Sequence, residues 1–178
     1  MAALGALSGA RLAGVSRLYA TAPVGVTDQL EFRNAAVGLD VPAGPNPATG
    51  AIALLLALKQ LERAFGRQDR ERWGPRELDL DLLSFGRARL AIDRPPAGVS
   101  LDPGKAGQLL VVPHPAANDR LFVLAPLADL APGLTPPGWG ETVEAARRRR
   151  LAIDGPDAVR PIGTWGSNAR GWRPMTSR

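Results

Sequence analysis

Two carboxylates and several guanidinium groups share one short stretch of this 178-residue chain. From Gly66 to Asp81 it reads Gly-Arg-Gln-Asp-Arg-Glu-Arg-Trp-Gly-Pro-Arg-Glu-Leu-Asp-Leu-Asp. The first part is an arginine-rich loop closed by a Gly-Pro turn. The end is predicted as a strand in which Leu78, Leu80 and Leu82 alternate with Asp79 and Asp81. Side chains two positions apart on a strand share one face and lie roughly 6–7 Å apart. Carboxylates so placed repel each other, and a hard divalent cation with oxygen ligands relieves that repulsion, Mg2+ carried by a nucleotide fitting best. Arg67, Arg70, Arg72 and Arg76 are then candidates to clamp phosphate oxygens bidentately, which lysine cannot do. The same string also suits a half-buried strand with one wet face beside a solvated loop.

The elements that must position these groups are legible on both sides. Residues 2–10 read as the weak end of a helix. Val15 to Thr21 and Phe32 to Val41 read as two strands that pair antiparallel, the second with Ala35, Val37, Leu39 and Val41 on one face. A helix is predicted from Ala51 to Phe65, starting near Pro47 or Thr49, with Ile52, Leu55, Leu56, Leu58 and Leu61 at helical spacing and Gly66 as its stop. It carries Lys59 and Glu62 toward the arginine loop, and either residue would also suit an exposed, solvated face. Arg87 to Ile92 is a short strand, residues 93–107 a Pro/Gly-rich flexible insertion, and Leu109 to Val112 an apolar run. Leu121 to Leu130 is a helix with Phe122, Leu124, Leu127 and Leu130 as candidate core, ended by Pro132. Glu141 to Leu151 is a further helix ending in four arginines, and residues 152–178 read as a disordered tail.

Composition narrows the function. An apolar fraction of 45% and a charged fraction of 22% are those of an ordinary globular chain. With no cysteine and a single histidine, His114, thiolate metal sites, multi-histidine sites and disulfide frameworks are excluded. The absence of cysteine suits a reducing, cytoplasmic setting. A net charge of +5 raises the possibility of a basic RNA-binding module, but lysine occurs only at Lys59 and Lys105 and aromatics make up 5%, so stacking platforms are scarce. No apolar run reaches the ~18–20 residues of a membrane span. The acid-free opening from Met1 to Pro23 is read as folded chain rather than a transit peptide. A monomer without nucleic-acid or membrane partners is expected.

Arg72-Trp73-Gly74-Pro75-Arg76 followed at once by Leu78-Asp79-Leu80-Asp81 closely resembles the signature of 6-hydroxymethyl-7,8-dihydropterin pyrophosphokinase, an enzyme family of folate biosynthesis. Further matches are Tyr19, Thr21, Pro23 and Gly25, then Asn34-Ala35-Ala36-Val37, and Pro113-His114 followed by Arg120 and Phe122. The resemblance runs from about Leu12 to Leu134. It implies a ferredoxin-like α/β (α+β) fold with a mostly antiparallel sheet, with residues 1–135 as the pyrophosphokinase domain and 136–178 as a helix and tail. It also implies ATP and 6-hydroxymethyl-7,8-dihydropterin as substrates and Mg2+ held by Asp79 and Asp81. Arg67 and Arg76 would act on the transferring group, and Glu62, Arg70, Trp73, His114 and Arg120 would meet ATP, Trp73 either packing the nucleotide or anchoring its loop. Thr21, Ala22, Val24, Phe32, Asn34 and Phe122 would line the pterin pocket, Asn34 through an amide that both donates and accepts.

The chain departs from the family pattern at three places. Lys59 stands where a glutamine is often found, and Leu109 to Val112 replaces a segment that often carries an arginine and a threonine. The family's opening strand and Gly-Ser-Asn turn are not seen before Leu12, so the expected sheet lacks its N-terminal strand. Three explanations stay open: a start upstream of Met1, a relative that binds nucleotide or pterin without activity, or replacement by Ile162 to Asn168 from the other end.

Overall fold

The two apolar-alternating runs at 11–21 and 32–40 form one antiparallel hairpin that is bent in the middle. In the computed structural model, which describes residues 1–21, 31–65, 78–99, 108–168 and 171–175, a short helix α1 (Ala2–Gly5) precedes it. Each run is split in two: β1 (Arg11–Val15) pairs with β4 (Val37–Asp40), and β2 (Leu18–Thr21) pairs with β3 (Phe32–Asn34). The registers are Val15 opposite Val37 and Tyr19 opposite Asn34. Ser16 lies where the two ladders part. Its N–H donates to the Ala36 carbonyl at 3.0 Å, while its buried Oγ accepts from the Ala36 N–H at 2.8 Å, so a hydroxyl replaces one ladder carbonyl.

The remaining elements are α2 (Pro47–Ala64), β5 (Leu90–Ile92), β6 (Leu110–Val112), α3 (Leu121–Leu130), α4 (Val143–Asp154), β7 (Val159–Gly166) and β8 (Gly171–Pro174), with 3₁₀ turns at Pro96–Gly98 and Ala117–Asp119. The five strand pairings among the described residues are antiparallel, so the class is α+β as expected. Contacts divide the chain into two compact units, Met1–Asp40 with Ala116–Arg178, and Val41–Pro115.

In the first unit the sheet order is β3-β2-β7-β8. The stretch expected as a disordered tail therefore supplies a strand hairpin, and that expectation is corrected for residues 159–166 and 171–174. Pro161 has no N–H to donate to a ladder. The sheet accommodates it: the register with β2 shifts between Leu18 and Tyr19, where Pro161 sits opposite Tyr19, and the β8 ladder begins only at Gly163. Trp172 donates its indole N–H to the Ser16 carbonyl at 3.1 Å and meets Trp165 edge-on at 5.0 Å. α3 and α4 close the unit around fully buried Leu124, Val143 and Ala146, with Leu127, Leu134 and Trp139 against them. Thr142 caps α4, its Oγ1 accepting from the Ala145 N–H at 3.1 Å.

Asp129 on α3 ties the helix to the bend. It accepts from the Arg17 N–H at 3.0 Å, from Arg17 Nε and from the Tyr19 hydroxyl at 2.9 Å. Burial and this hydrogen bond push the Tyr19 phenol up to about 12. Burial also raises the Asp129 carboxyl, but the Arg17 and Tyr19 bonds outweigh it and leave the group below the usual carboxylate value. Glu144, bonded by Arg147 and then Arg148, is brought from its usual 4.5 down to about 2. Groups whose carboxyls are depressed in the folded state stabilise it above their unfolded pKa and lose that contribution as pH falls toward the folded one. The urea midpoint is accordingly expected to drop between pH 4.5 and 2, and to drop less steeply in Glu144→Gln. Equal slopes for parent and variant would contradict this assignment.

In the second unit α2 begins at Asn46, whose Oδ1 accepts from the Thr49 N–H at 2.9 Å, with Pro47 in the first turn. Leu55 and Leu58 are buried as expected, while Ile52, Leu56 and Leu61 are half-buried. The buried stripe instead runs through Ala51, Leu55, Leu58, Lys59 and Glu62. β5 and β6 form a two-stranded ladder with Leu90 opposite Val112.

Candidate functional site

The segment carrying the two aspartates is held by a side chain and not by a ladder. No strand is found at residues 78–82, which corrects the expected one, although the alternation of faces persists: Asp79 and Asp81 are exposed, Leu78 and Leu80 half-buried and Leu82 buried. The Leu80 N–H donates to Glu62 Oε1 at 2.7 Å. Glu62 Oε2 accepts from Lys59 Nζ at 2.8 Å, one helical turn back on α2. Glu62 is 1% exposed and Lys59 7%, so neither is the solvated helix residue that its type suggests. Glu62 therefore bridges the Lys59 ammonium on one side and the Leu80 backbone N–H on the other. The backbone is thus gripped between the two aspartates.

His114 lies in the same unit, half-buried just after β6, with its N–H donating to the Leu83 carbonyl at 2.9 Å. That bond fixes the histidine backbone to the chain that leaves Asp81. Arg67, Arg70, Arg72, Trp73 and Arg76 lie outside the described residues, as do Ala22 and Val24.

In the other unit, Asn34 and Thr21 are diagonal neighbours across the β2–β3 pair. Asn34 Nδ2 donates to Thr21 Oγ1 at 2.9 Å, which orients the amide and uses one of its two N–H donors. Phe32, opposite Thr21, is exposed at the outer edge of the sheet. Arg120 and Phe122 start α3, and the Arg120 guanidinium sits 5.8 Å from the Phe122 ring centroid, so each side chain restrains the other. The turn before Arg120 is pinned from α4, where Arg149 Nη2 donates to the Asn118 carbonyl at 2.9 Å. Asp129, which anchors Arg17 and Tyr19, and the Lys59–Glu62 pair were not anticipated as an anchoring system. For the latter the signal was present, since 55, 58, 59 and 62 follow helical spacing on one face.

The donor chemistry can be tested against a divalent ion. Among the described residues no group of three or more His, Cys, Asp or Glu side chains could hold a metal by itself. Two neighbouring exposed carboxylates fit Mg2+, a hard ion commonly held by one or two carboxylates plus substrate phosphates rather than by an all-protein cage.

The described residues thus define an α+β protein that presents two neighbouring exposed carboxylates from a braced segment. The comparisons with known proteins make the class specific. Residues 1–132 match the model of the 7,8-dihydro-6-hydroxymethylpterin-pyrophosphokinase family, and the chain belongs to that family. Among relatives, a 2-amino-4-hydroxy-6-hydroxymethyldihydropteridine pyrophosphokinase of Methylorubrum extorquens is 38% identical over 143 residues, covering 80% of this chain and 76% of the relative. The protein of the same name from Pseudomonas aeruginosa is 42% identical, with 71% of this chain and 65% of the relative covered. A mitochondrial folate synthesis bifunctional protein of Arabidopsis thaliana is 44% identical over 115 residues, which span 65% of this chain but only 17% of that protein.

Proposed function

We propose that this chain transfers the terminal diphosphate of ATP to the hydroxymethyl oxygen of 6-hydroxymethyl-7,8-dihydropterin, releasing AMP, as a step of folate biosynthesis. The observation that carries the reading is the braced Asp79-Leu80-Asp81 segment within a chain of this family. The pterin oxygen forms a bond to the β-phosphorus, the bond from that phosphorus to the bridging oxygen of AMP breaks, and the hydroxyl proton is lost to solvent. Little covalent chemistry is left for the protein, so positioning and charge neutralisation dominate.

Asp79 and Asp81 would hold Mg2+, which supplies positive charge to the phosphate oxygens when bound. Arg67, Arg70 and Arg76 neutralise the transferring group and the departing AMP, with Trp73, His114 and Arg120 as further nucleotide contacts. Glu62, also expected near the nucleotide, serves through its hold on Leu80. Asn34 reads the edge of the pterin while Thr21 fixes its amide, and Phe32 and Phe122 offer ring faces, with Ala22 and Val24 completing the pocket. We read the protein as a cytoplasmic monomer without nucleic-acid or membrane partners. No helix among the described residues is long and apolar enough to cross a membrane.

Phosphorus NMR of the products is the test. AMP and a pterin diphosphate support the reading; ADP and a pterin monophosphate, or unchanged ATP, would reject it. Asn34→Ala is expected to raise KM for the pterin by roughly 10- to 100-fold with kcat nearly unchanged, as for a lost hydrogen bond made equally in ground and transition states. A fall in kcat at constant KM would place Asn34 elsewhere in the reaction.

A further inference from the structure

The Lys59–Glu62 pair is unusual for its position. It is a desolvated ion pair on the buried stripe of α2, and its carboxylate accepts from the backbone N–H of the residue between the two exposed aspartates. An ordinary buried pair gains little over apolar residues of similar size, so its value lies in what it holds in place. Here that is the backbone of Leu80. Because faces alternate along 78–82, fixing Leu80 with its side chain inward turns both neighbouring carboxylates outward together. A cation shared by two such carboxylates tolerates little slack in their spacing.

We propose that Lys59 and Glu62 are positioning residues for the divalent cation: Lys59 orients Glu62 by donating to it, and Glu62 holds Leu80 so that Asp79 and Asp81 present a preformed pair of oxygen ligands. The inference rests on the reading of those aspartates given above. A glutamine at position 59 would offer an amide N–H to Glu62 Oε2 as the ammonium does.

The test is Mn2+ binding to the full chain in the presence of α,β-methylene-ATP, followed by electron paramagnetic resonance, alongside circular dichroism and pterin binding. Lys59→Met is expected to weaken Mn2+ binding at least tenfold while pterin affinity is kept. Lys59→Gln should stay within about threefold of the parent, as expected if hydrogen bonding to Glu62 and not charge at position 59 is what matters. A folded Lys59→Met with parental Mn2+ affinity overturns the proposal, as does equal weakening by Met and Gln. If Lys59→Met does not fold, Lys59→Leu/Glu62→Met removes both charges together; parental Mn2+ affinity in that variant overturns the proposal, and a tenfold loss supports it. Asp81→Asn separates the two levels. If it leaves Mn2+ binding intact, the metal reading of the aspartates fails; if it abolishes binding while Lys59→Met does not, only the positioning role fails.

Discussion

Asp81→Asn is expected to reduce pterin-dependent AMP formation by about 10³-fold, a loss near 4 kcal/mol of transition-state stabilisation. The side chain is exposed, so folding should change by no more than about 0.5 kcal/mol. The substitution keeps shape and removes charge, which isolates the electrostatic contribution. Its neighbour Leu80 remains bonded to Glu62, so the backbone is not released and the loss cannot be assigned to a displaced loop. Steady-state kinetics at saturating Mg2+ measures it. Turnover within threefold of the parent would remove Asp81 from the reaction.

Gly50→Ala is expected to cause the largest loss of stability among single-methyl changes in the second unit, about 3 kcal/mol or more. A Cβ at this position of α2 would lie 2.3 Å from the Ala43 carbonyl oxygen and 2.7 Å from Phe85 Cζ. The first of these is backbone and cannot rotate away. Against this stands the helix-propensity gain of about 1 kcal/mol on replacing glycine by alanine, which is too small to compensate. Since α2 carries Lys59 and Glu62, the variant should also lose activity at temperatures where it remains folded. Gly133→Ala is the matched control, because a Cβ there meets nothing within 4 Å. An unchanged urea midpoint for Gly50→Ala would contradict the tight approach of the chain at Ala43.

Where the sequence carried periodicity, it was readable. The paired runs around Tyr19 and Leu39, helix α2 from Pro47 and helix α3 from Leu121 declare themselves through spacing, and α2 through its Asn46 cap as well. What escaped depends on contacts far apart in the chain. The bend at Ser16 is invisible locally, because alternation continues through it and the partner atom belongs to Ala36. β7 contains Pro161, whose missing donor matters less beside a register shift that only the β2 pairing creates. The aspartate segment kept its alternating faces without the ladder that alternation normally signals, because one carboxylate from α2 takes the Leu80 N–H. The solvated face that Lys59 and Glu62 would also suit by type is not the one they occupy, since their positions on the stripe with Leu55 and Leu58 point inward. The arginine loop, read as the source of phosphate-binding cations, lies outside the described residues, as do Ala22 and Val24.

AMP release from ATP by this chain, followed with and without 6-hydroxymethyl-7,8-dihydropterin and with and without Mg2+, tests the central claim most directly. The account predicts AMP only when both are present, in a 1:1 ratio with pterin diphosphate. AMP formed equally without pterin, or no AMP under any of the four conditions, would contradict it.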